Sequence, residues 1–468
     1  MTHTPASASR RESQEVVRSL RAAVSEVLPS VRDDLEALVR IRSVSADPNR
    51  VQDVRRSAEA TAALFRGEGF DDVEILSAGG GAPAVVARRS APEGAPTVLL
   101  YAHHDVQPVG NLAEWDSEPF EPTERGDRLY GRGAADDKAG IAAHLAAIRA
   151  HGGTPPVGVT VFVEGEEEVG SPTLTGFLAE HKDLLQADVI VIADSANWDI
   201  GVPALTTSLR GLVDVVVEVS TLEHGVHSGL WGGVAPDAVT TLVRLLATLH
   251  DDQGNVAVHG LVSGRAADVD YPQHRVRAEA AMLDGVEFLG CGPLVERLWT
   301  KPAIATIGFD ATRIADASNT LIPRASAQVS LRIAPGDNTA SAQRRLTEHL
   351  EANVPWGARV EVTPGRSNGE PSTIHAEGPA YDAARAAFRE AWDGTDPVDI
   401  GIGGSIPFIA AFQAAFPEAA VLVTGVEDPD TRAHGVNEGL HLGEFARVCL
   451  AETLLLHNLA GLTFSAAL

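Results

Sequence analysis

Apolar runs recur along this chain, and several of them stop at an acid or a histidine. Residues 97–102 run into His103-His104-Asp105, residues 157–163 into Glu164-Gly165-Glu166-Glu167-Glu168, and residues 187–193, broken only by Asp188, into Asp194. Residues 421–423 lead through a turn to His434. Continuous β-branched runs of this kind predict strands of a parallel sheet, buried on both faces. Helical spacing separates them. In residues 15–42, Val17, Leu20, Ala23, Val24 and Val27 share one face. A helix is expected over 57–67, with Ser57 as its N-cap and Gly67 and Gly69 ending it. Others are expected over 139–151 and 172–186, and short strands at 73–76 and 84–87. Strand, helix and strand between 157 and 193 form a βαβ alternation, so the sheet is expected to be mostly parallel and the fold class α/β.

The texture changes near Arg210-Gly211. Strands are predicted at 212–219, 303–309, 325–333 and 359–362, helices at 236–250 and 341–352, and a polar excursion at 251–275. A few strands with two helices suit a small α+β domain. A helix at 380–392 and the strand at 421–423 restore the first texture. A chain of 468 residues exceeds one usual core. The expectation is an α/β catalytic domain in two pieces, 1–209 and 374–468, with an α+β domain inserted at 210–373.

Composition narrows the partners. Hydrophobic residues make up 44% and the formal net charge is -27, which supports a folded globular protein and argues against nucleic acid or an anionic membrane. Two cysteines, Cys291 and Cys449, are too few for a disulfide framework or a Cys-rich zinc site. Residues 1–20 have no apolar core of signal-peptide length, and no apolar stretch is long enough to span a bilayer. The expected setting is soluble and reducing, the cytoplasm.

The acids and histidines then acquire a chemistry. Ligands of open α/β sheets gather at the carboxyl ends of the strands. His103 and Asp105, two apart, face one side of a strand, so the carboxylate can orient a metal-bound imidazole, while His104 points away and is structural. In Gly131-Arg132-Gly133-Ala134-Ala135-Asp136-Asp137-Lys138-Ala139-Gly140, adjacent acids precede a helix, where they can cap it or bridge two cations. Consecutive glutamates after residue 163 repel one another unless cations are near. One can then bind metal while its neighbour takes a proton from metal-bound water; spacing leaves open which does which. Asp194 and His434 complete a ligand count. Imidazole and carboxylate without thiolate suit zinc, and also manganese or cobalt.

Five segments, YAHHDVQPV, YGRGAADDKAG, EGEEEVGS, HSGLWGG and GGSIP, occur in an order that resembles a family of dinuclear-metal peptidases. That family contains cytosolic non-specific dipeptidase, carnosinase, glutamate carboxypeptidases, aminoacylase and succinyl-diaminopimelate desuccinylase. The resemblance covers nearly the whole chain and lies closest to the dipeptidase branch. It implies two divalent metal ions, zinc or else manganese or cobalt. His103 and Asp194 would bind one ion, Glu168 and His434 the other, and Asp136 would bridge them, with a cis peptide after it. Glu167 would be the general base and later the acid, acting on a metal-bridging water, and Asp105 would orient His103. In the inserted domain, a lid and dimerisation domain by resemblance, His227 would reach the partner subunit's site of a homodimer and stabilise the oxyanion. Arg332, with Gly404 and Ser405 of Gly403-Gly404-Ser405, would hold the substrate carboxylate. Two positions depart from the dipeptidase pattern: Ile402 stands where that branch commonly has Glu, and Gly378-Pro379 where a His-Pro pair is expected. The expected reaction is hydrolysis of a dipeptide or similar small amide with a free C-terminal carboxylate. The alternative is an N-acyl amino acid deacylase or carboxypeptidase.

Overall fold

In the computed structural model, which describes residues 5–266, 269–404 and 407–464, the apolar runs are strands with almost no exposed side chain. Every residue of Gly158–Glu164 and Val189–Ile192 is buried, as is all of Thr97–His103 beyond its first position. Burial on both faces needs layers above and below, and the alternating helices supply them. The described residues form two compact units, one of Met1–Thr207, Ile374–Asp399 and Ala411–Leu468, the other of Ser208–Thr373 and Ile400–Ala410.

The sheet of the first unit runs in the order Asp72–Leu76, Ala84–Arg89, Gly158–Glu164, Thr97–His103, Val189–Ile192, Ala420–Val423, Ala204–Leu209. The four strands from Gly158–Glu164 to Ala420–Val423 are parallel, and the margins are antiparallel. Their register brings His103 opposite Glu164, Tyr101 opposite Ile192, and Ile192 opposite Val423. Four strands thus end at one level, and the polar residues that follow them emerge together. Helices Pro5–Val39, Lys138–Ala150, Pro379–Ala391 and Leu442–Leu459 pack against one another. Leu442–Leu459 was not anticipated, since it is buried nearly all round and has no polar stripe to set its period. Ser57 is not an N-cap. The helix starts at Val51, and Ser57 lies buried inside it, donating from Oγ to the His104 carbonyl oxygen at 3.1 Å.

The second unit is built on a four-stranded antiparallel sheet in the order Ala303–Asp310, Arg324–Ile333, Gly211–Ser220, Arg359–Gly369. Alternation along Arg324–Ile333 is strict, with Ala325, Ala327, Val329, Leu331 and Ile333 buried. That face packs with Leu242 and Leu245 of helix Ala238–Ala247 and Leu346 and Leu350 of helix Thr339–Ala352. The polar excursion ends in a short helix, Gln273–Glu279, and another, Leu294–Trp299, follows it. Both were too short for a periodic signal. No helix among the described residues is long and apolar enough to cross a membrane.

Candidate metal centre

Five side chains of the first unit meet where the parallel strands end. His103 Nε2 lies 3.1 Å from Asp136 Oδ1 and 3.8 Å from Asp194 Oδ2. His434 Nε2 lies 3.0 Å from Asp136 Oδ2 and 3.2 Å from Glu168 Oε2. Asp136 therefore presents one oxygen to each imidazole. The donor atoms of His103, Asp136 and Glu168 all fall within 4.8 Å of one another, as do those of His103, Asp137 and Asp194. Glu167 Oε2 stands 4.0 Å from His103 Nε2.

The segment after strand Gly158–Glu164 gives each acid its own task. A single 3-10 turn, Glu167–Val169, ends in the left-handed region at Gly170. Glu164 accepts the Tyr101 hydroxyl at 2.8 Å. Glu166 ties down its own loop by accepting the N–H groups of Ala82 at 2.9 Å and Thr173 at 2.8 Å. Glu167 and Glu168 are left to face the centre. Gly165 is required by close approach, because a Cβ there would lie 2.5 Å from the Pro83 carbonyl oxygen and 2.7 Å from His104 Cε1. Glu168 is held by the Gln107 backbone N–H at 3.0 Å and side-chain amide at 2.8 Å.

The adjacent acids before helix Lys138–Ala150 also divide. Asp137 is the N-cap, accepting the Gly140 N–H at 3.2 Å and the His103 N–H at 3.2 Å. Asp136 faces the imidazoles. The peptide bond between them is cis. Gly133 carries the turn at φ +81°, and a Cβ there would lie 2.6 Å from Val106 Cγ1. His434 has φ +61° in the loop after strand Ala420–Val423. His104 points away, with Nε2 2.8 Å from the Pro83 carbonyl oxygen, and burial pushes it down to about 4.

Electrostatics favour cations. Burial, then the neighbouring Asp194, push Glu167 well above the usual carboxylate range. Asp194 is pushed up to about 7 by burial first, against the pull of His103. Burial also raises Glu427, with Asp136 and Asp194 adding repulsion; no sequence motif pointed to that residue. Asp136 goes the other way, because hydrogen bonding to His103 and His434 outweighs its burial. A crowd of buried carboxylates with two imidazoles among them is the ligand chemistry of hard or borderline divalent ions. The residues therefore fit such a group, with His103, Asp136, Glu168, Asp194 and His434 as its holders.

Apart from Asp105, which follows strand Thr97–His103 in the first unit, the remaining candidates belong to the second unit. His227 is exposed at the end of the short strand Val226–His227. Its Nδ1 accepts the Gly229 N–H at 2.9 Å, which leaves the proton of the neutral ring on Nε2. Arg332 is half-buried on strand Arg324–Ile333. A second guanidinium, Arg210, accompanies it and was read from the sequence only as a change of texture. Arg210 is pushed down to about 10 by burial and then by Arg332. Arg210 Nε donates to the Gly403 carbonyl oxygen at 3.2 Å, fixing the turn before Gly404. Ser405 lies outside the described residues.

Comparison with known proteins agrees with this architecture. The model of "Peptidase family M20/M25/M40" matches residues 99–457. Cysteinylglycine-S-conjugate dipeptidase of Corynebacterium striatum is 39% identical over 365 residues, which is 76% of this chain and 80% of that protein. Beta-Ala-His dipeptidase of Rattus norvegicus is 30% identical over 384 residues, 77% of this chain and 76% of that protein. The crystal structure of human carnosine dipeptidase 1 superposes with a TM-score of 0.79 at 24% identity, covering 96% of this chain and 99% of that one. An M20 family metallo-carboxypeptidase from Sulfolobus solfataricus gives 0.78 at 22%, covering 92% and 99%. The two structural likenesses concern the fold.

Proposed function

The chain belongs to peptidase family M20/M25/M40, and from that premise we propose that it is a metal-dependent dipeptidase holding two divalent ions. The observation that carries this reading is the convergence of His103, Asp136, Glu168, Asp194 and His434 around one centre, with Glu167 beside them. The names of the relatives, dipeptidases for Cys-Gly conjugates and for Beta-Ala-His, supply the substrate class. Zinc is the favoured ion, with manganese or cobalt as alternatives, since the donors are imidazole and carboxylate.

Bound divalent ions would supply Lewis-acid polarisation of the scissile carbonyl and acidify the attacking water. Asp136 contributes one carboxylate oxygen toward His103 and the other toward His434, so it would be the residue shared between two bound ions. Glu167 takes a proton from water at its carboxylate and returns it to the nitrogen of the leaving amine. A carboxylate raised by burial and by Asp194 is suited to holding that proton between the two steps. Asp105 positions the pair of glutamates and His103.

Substrate recognition we assign to the second unit, as lid and dimerisation domain. The half-buried Arg332, beside Arg210, is the grip for a free carboxylate, with Gly404 and Ser405 offering further donors. His227, with its Nε2 proton exposed, is the oxyanion donor, given across a homodimer. The net charge of -27 suits a soluble cytoplasmic enzyme that binds neither nucleic acid nor membrane. Loss of the His-Pro pair at Gly378-Pro379 and of Glu at Ile402 favours one second reading, an N-acyl amino acid deacylase or carboxypeptidase. Product analysis after metal reconstitution tests both. Cys-Gly, β-Ala-His and N-acetyl amino acids would be supplied in turn. Two free amino acids from the dipeptides support the first reading; hydrolysis confined to acylated substrates overturns it.

A further inference from the structure

One buried ion pair links the two stretches of chain that carry Asp136 and His434. Arg132 and Glu438 lie 2.5 Å apart, with 1% and 0% of their side chains exposed. Each then reaches past the other. Glu438 Oε1 accepts the N–H groups of Ala135 at 3.0 Å and of Asp136 itself at 3.1 Å, and its Oε2 accepts that of Gly133 at 3.2 Å. Arg132 Nη2 donates to the carbonyl oxygen of Gly435, the residue after His434, at 2.9 Å, and to that of Pro108 at 3.2 Å. A similar tie sits at the other end of the His434 loop. Arg128 Nη1 donates to Asp428 Oδ2 and to the Gly439 carbonyl oxygen, both at 3.0 Å. Strand Gly439–His441 pairs antiparallel with Arg128–Tyr130.

We propose that Arg132 and Glu438 are positioning residues that set the separation of Asp136 and His434, and so tune how tightly the centre holds its metal ions. The inference rests on the ligand assignment proposed above. Its physical basis is the cost of a buried ion pair. Two charges removed from water gain little net stability even when well paired, and apolar replacements often match them. What such a pair supplies is direction. Glu438 aims at the backbone of one ligand and Arg132 at the backbone beside another, and neither side chain itself faces the centre. Partners that orient metal ligands from behind change affinity by about 10–100-fold when altered.

Two variants of the full-length protein test this. Glu438→Gln keeps the shape but replaces one acceptor oxygen with an N–H donor, so the Ala135 and Asp136 N–H groups lose part of their hold. Arg132→Lys keeps the charge on Glu438 but cannot also reach Gly435 and Pro108. Chelator-stripped protein would be titrated calorimetrically with Zn2+, and folding followed by circular dichroism. Arg132→Lys should weaken one of two binding events about 10–100-fold and leave the other within about threefold, because it releases His434 alone. Glu438→Gln should weaken both, because Asp136 serves both. Folded variants with unchanged Zn2+ affinities would overturn the proposal. So would failure of both variants to fold, which would make the pair a requirement of the fold and not of the centre. His434→Ala separates this from the ligand assignment. If that variant binds two ions with native affinity, the assignment fails. If it loses one while Arg132→Lys and Glu438→Gln keep both tight, only the positioning role fails.

Discussion

The imidazole Nδ1 of His103 lies 3.1 Å from the backbone carbonyl oxygen of Asp105, closer than the 3.5 Å to the Asp105 carboxylate. The carbonyl is thus the nearer orienting acceptor, and the carboxylate has a further task. It accepts the Glu167 N–H on one oxygen at 3.2 Å and the Glu168 N–H on the other at 3.1 Å. Asp105→Asn keeps one acceptor and turns the other into a donor that meets an N–H. We expect it to displace the glutamate turn and lower kcat by about 10–100-fold, with KM for a dipeptide little changed. Steady-state kinetics with metal content checked by mass spectrometry measure this.

Glu167 and Glu168 are neighbours with separate partners, and the structure makes their substitutions separable. Glu167→Gln should retain both metal ions while kcat falls by about 10²–10⁴. Glu168→Gln, which weakens the partner of His434, should lose one ion equivalent. Metal stoichiometry beside kcat for the two proteins distinguishes them. Equal metal content with equal loss of rate would overturn the division of roles.

Gly133 supports the turn that delivers Asp136. A Cβ at φ +81° would be strained and would meet Val106. Gly133→Ala should cost about 1–3 kcal/mol from backbone strain alone, seen as a lower thermal midpoint, and should weaken metal binding because Asp136 moves with the turn. Gly152, also at positive φ but with no atom within 4 Å of its Cβ, is the control. Gly152→Ala should lower stability without touching metal affinity.

Behind the sheet, His144 Nδ1 lies 2.8 Å from Glu452 Oε1 and Nε2 3.0 Å from the Tyr101 carbonyl oxygen. Burial lowers its pKa, but Glu452 outweighs burial and raises it above 6.5. The sign follows. A folded-state pKa above the unfolded one stabilises the fold below pH 6.5, and that contribution fades as pH rises through the raised value. Glu452→Gln should therefore destabilise most at low pH, by about 3–5 kcal/mol for a broken buried pair, and less near pH 9. Urea unfolding of both proteins across pH measures the difference. A penalty independent of pH would overturn the assignment of a charged His144.

The strands that carry the centre were legible because burial on both faces leaves an unmistakable apolar run. The residues proposed as ligands could be picked out because they follow such a run, directly or through a turn, or sit in a glycine-rich turn. What the pattern could not carry was the work of the neighbours. Asp136 and Asp137 look alike by residue type and spacing; the resemblance singles out Asp136, and the N-cap geometry of Asp137 supplies the physical reason. Glu166 resembles Glu167 until its contacts with Ala82 and Thr173 are seen. Gln107, Arg132 and Glu438 have no periodic signature, since their importance arises from chain segments brought together by folding. Helix Leu442–Leu459 escaped because a helix apolar on every side has no phase to read.

Arg132 and Glu438 are separated by 306 positions along the chain. Synthesis proceeds from one end, so the ribosome delivers His103, Asp136, Glu168 and Asp194 long before the segment that completes them. During that interval the nascent polypeptide holds a half-built acidic cluster with no Glu438 to brace it and no His434 to neutralise it. The proposed centre therefore cannot be complete before the segment around His434 and Glu438 has been made.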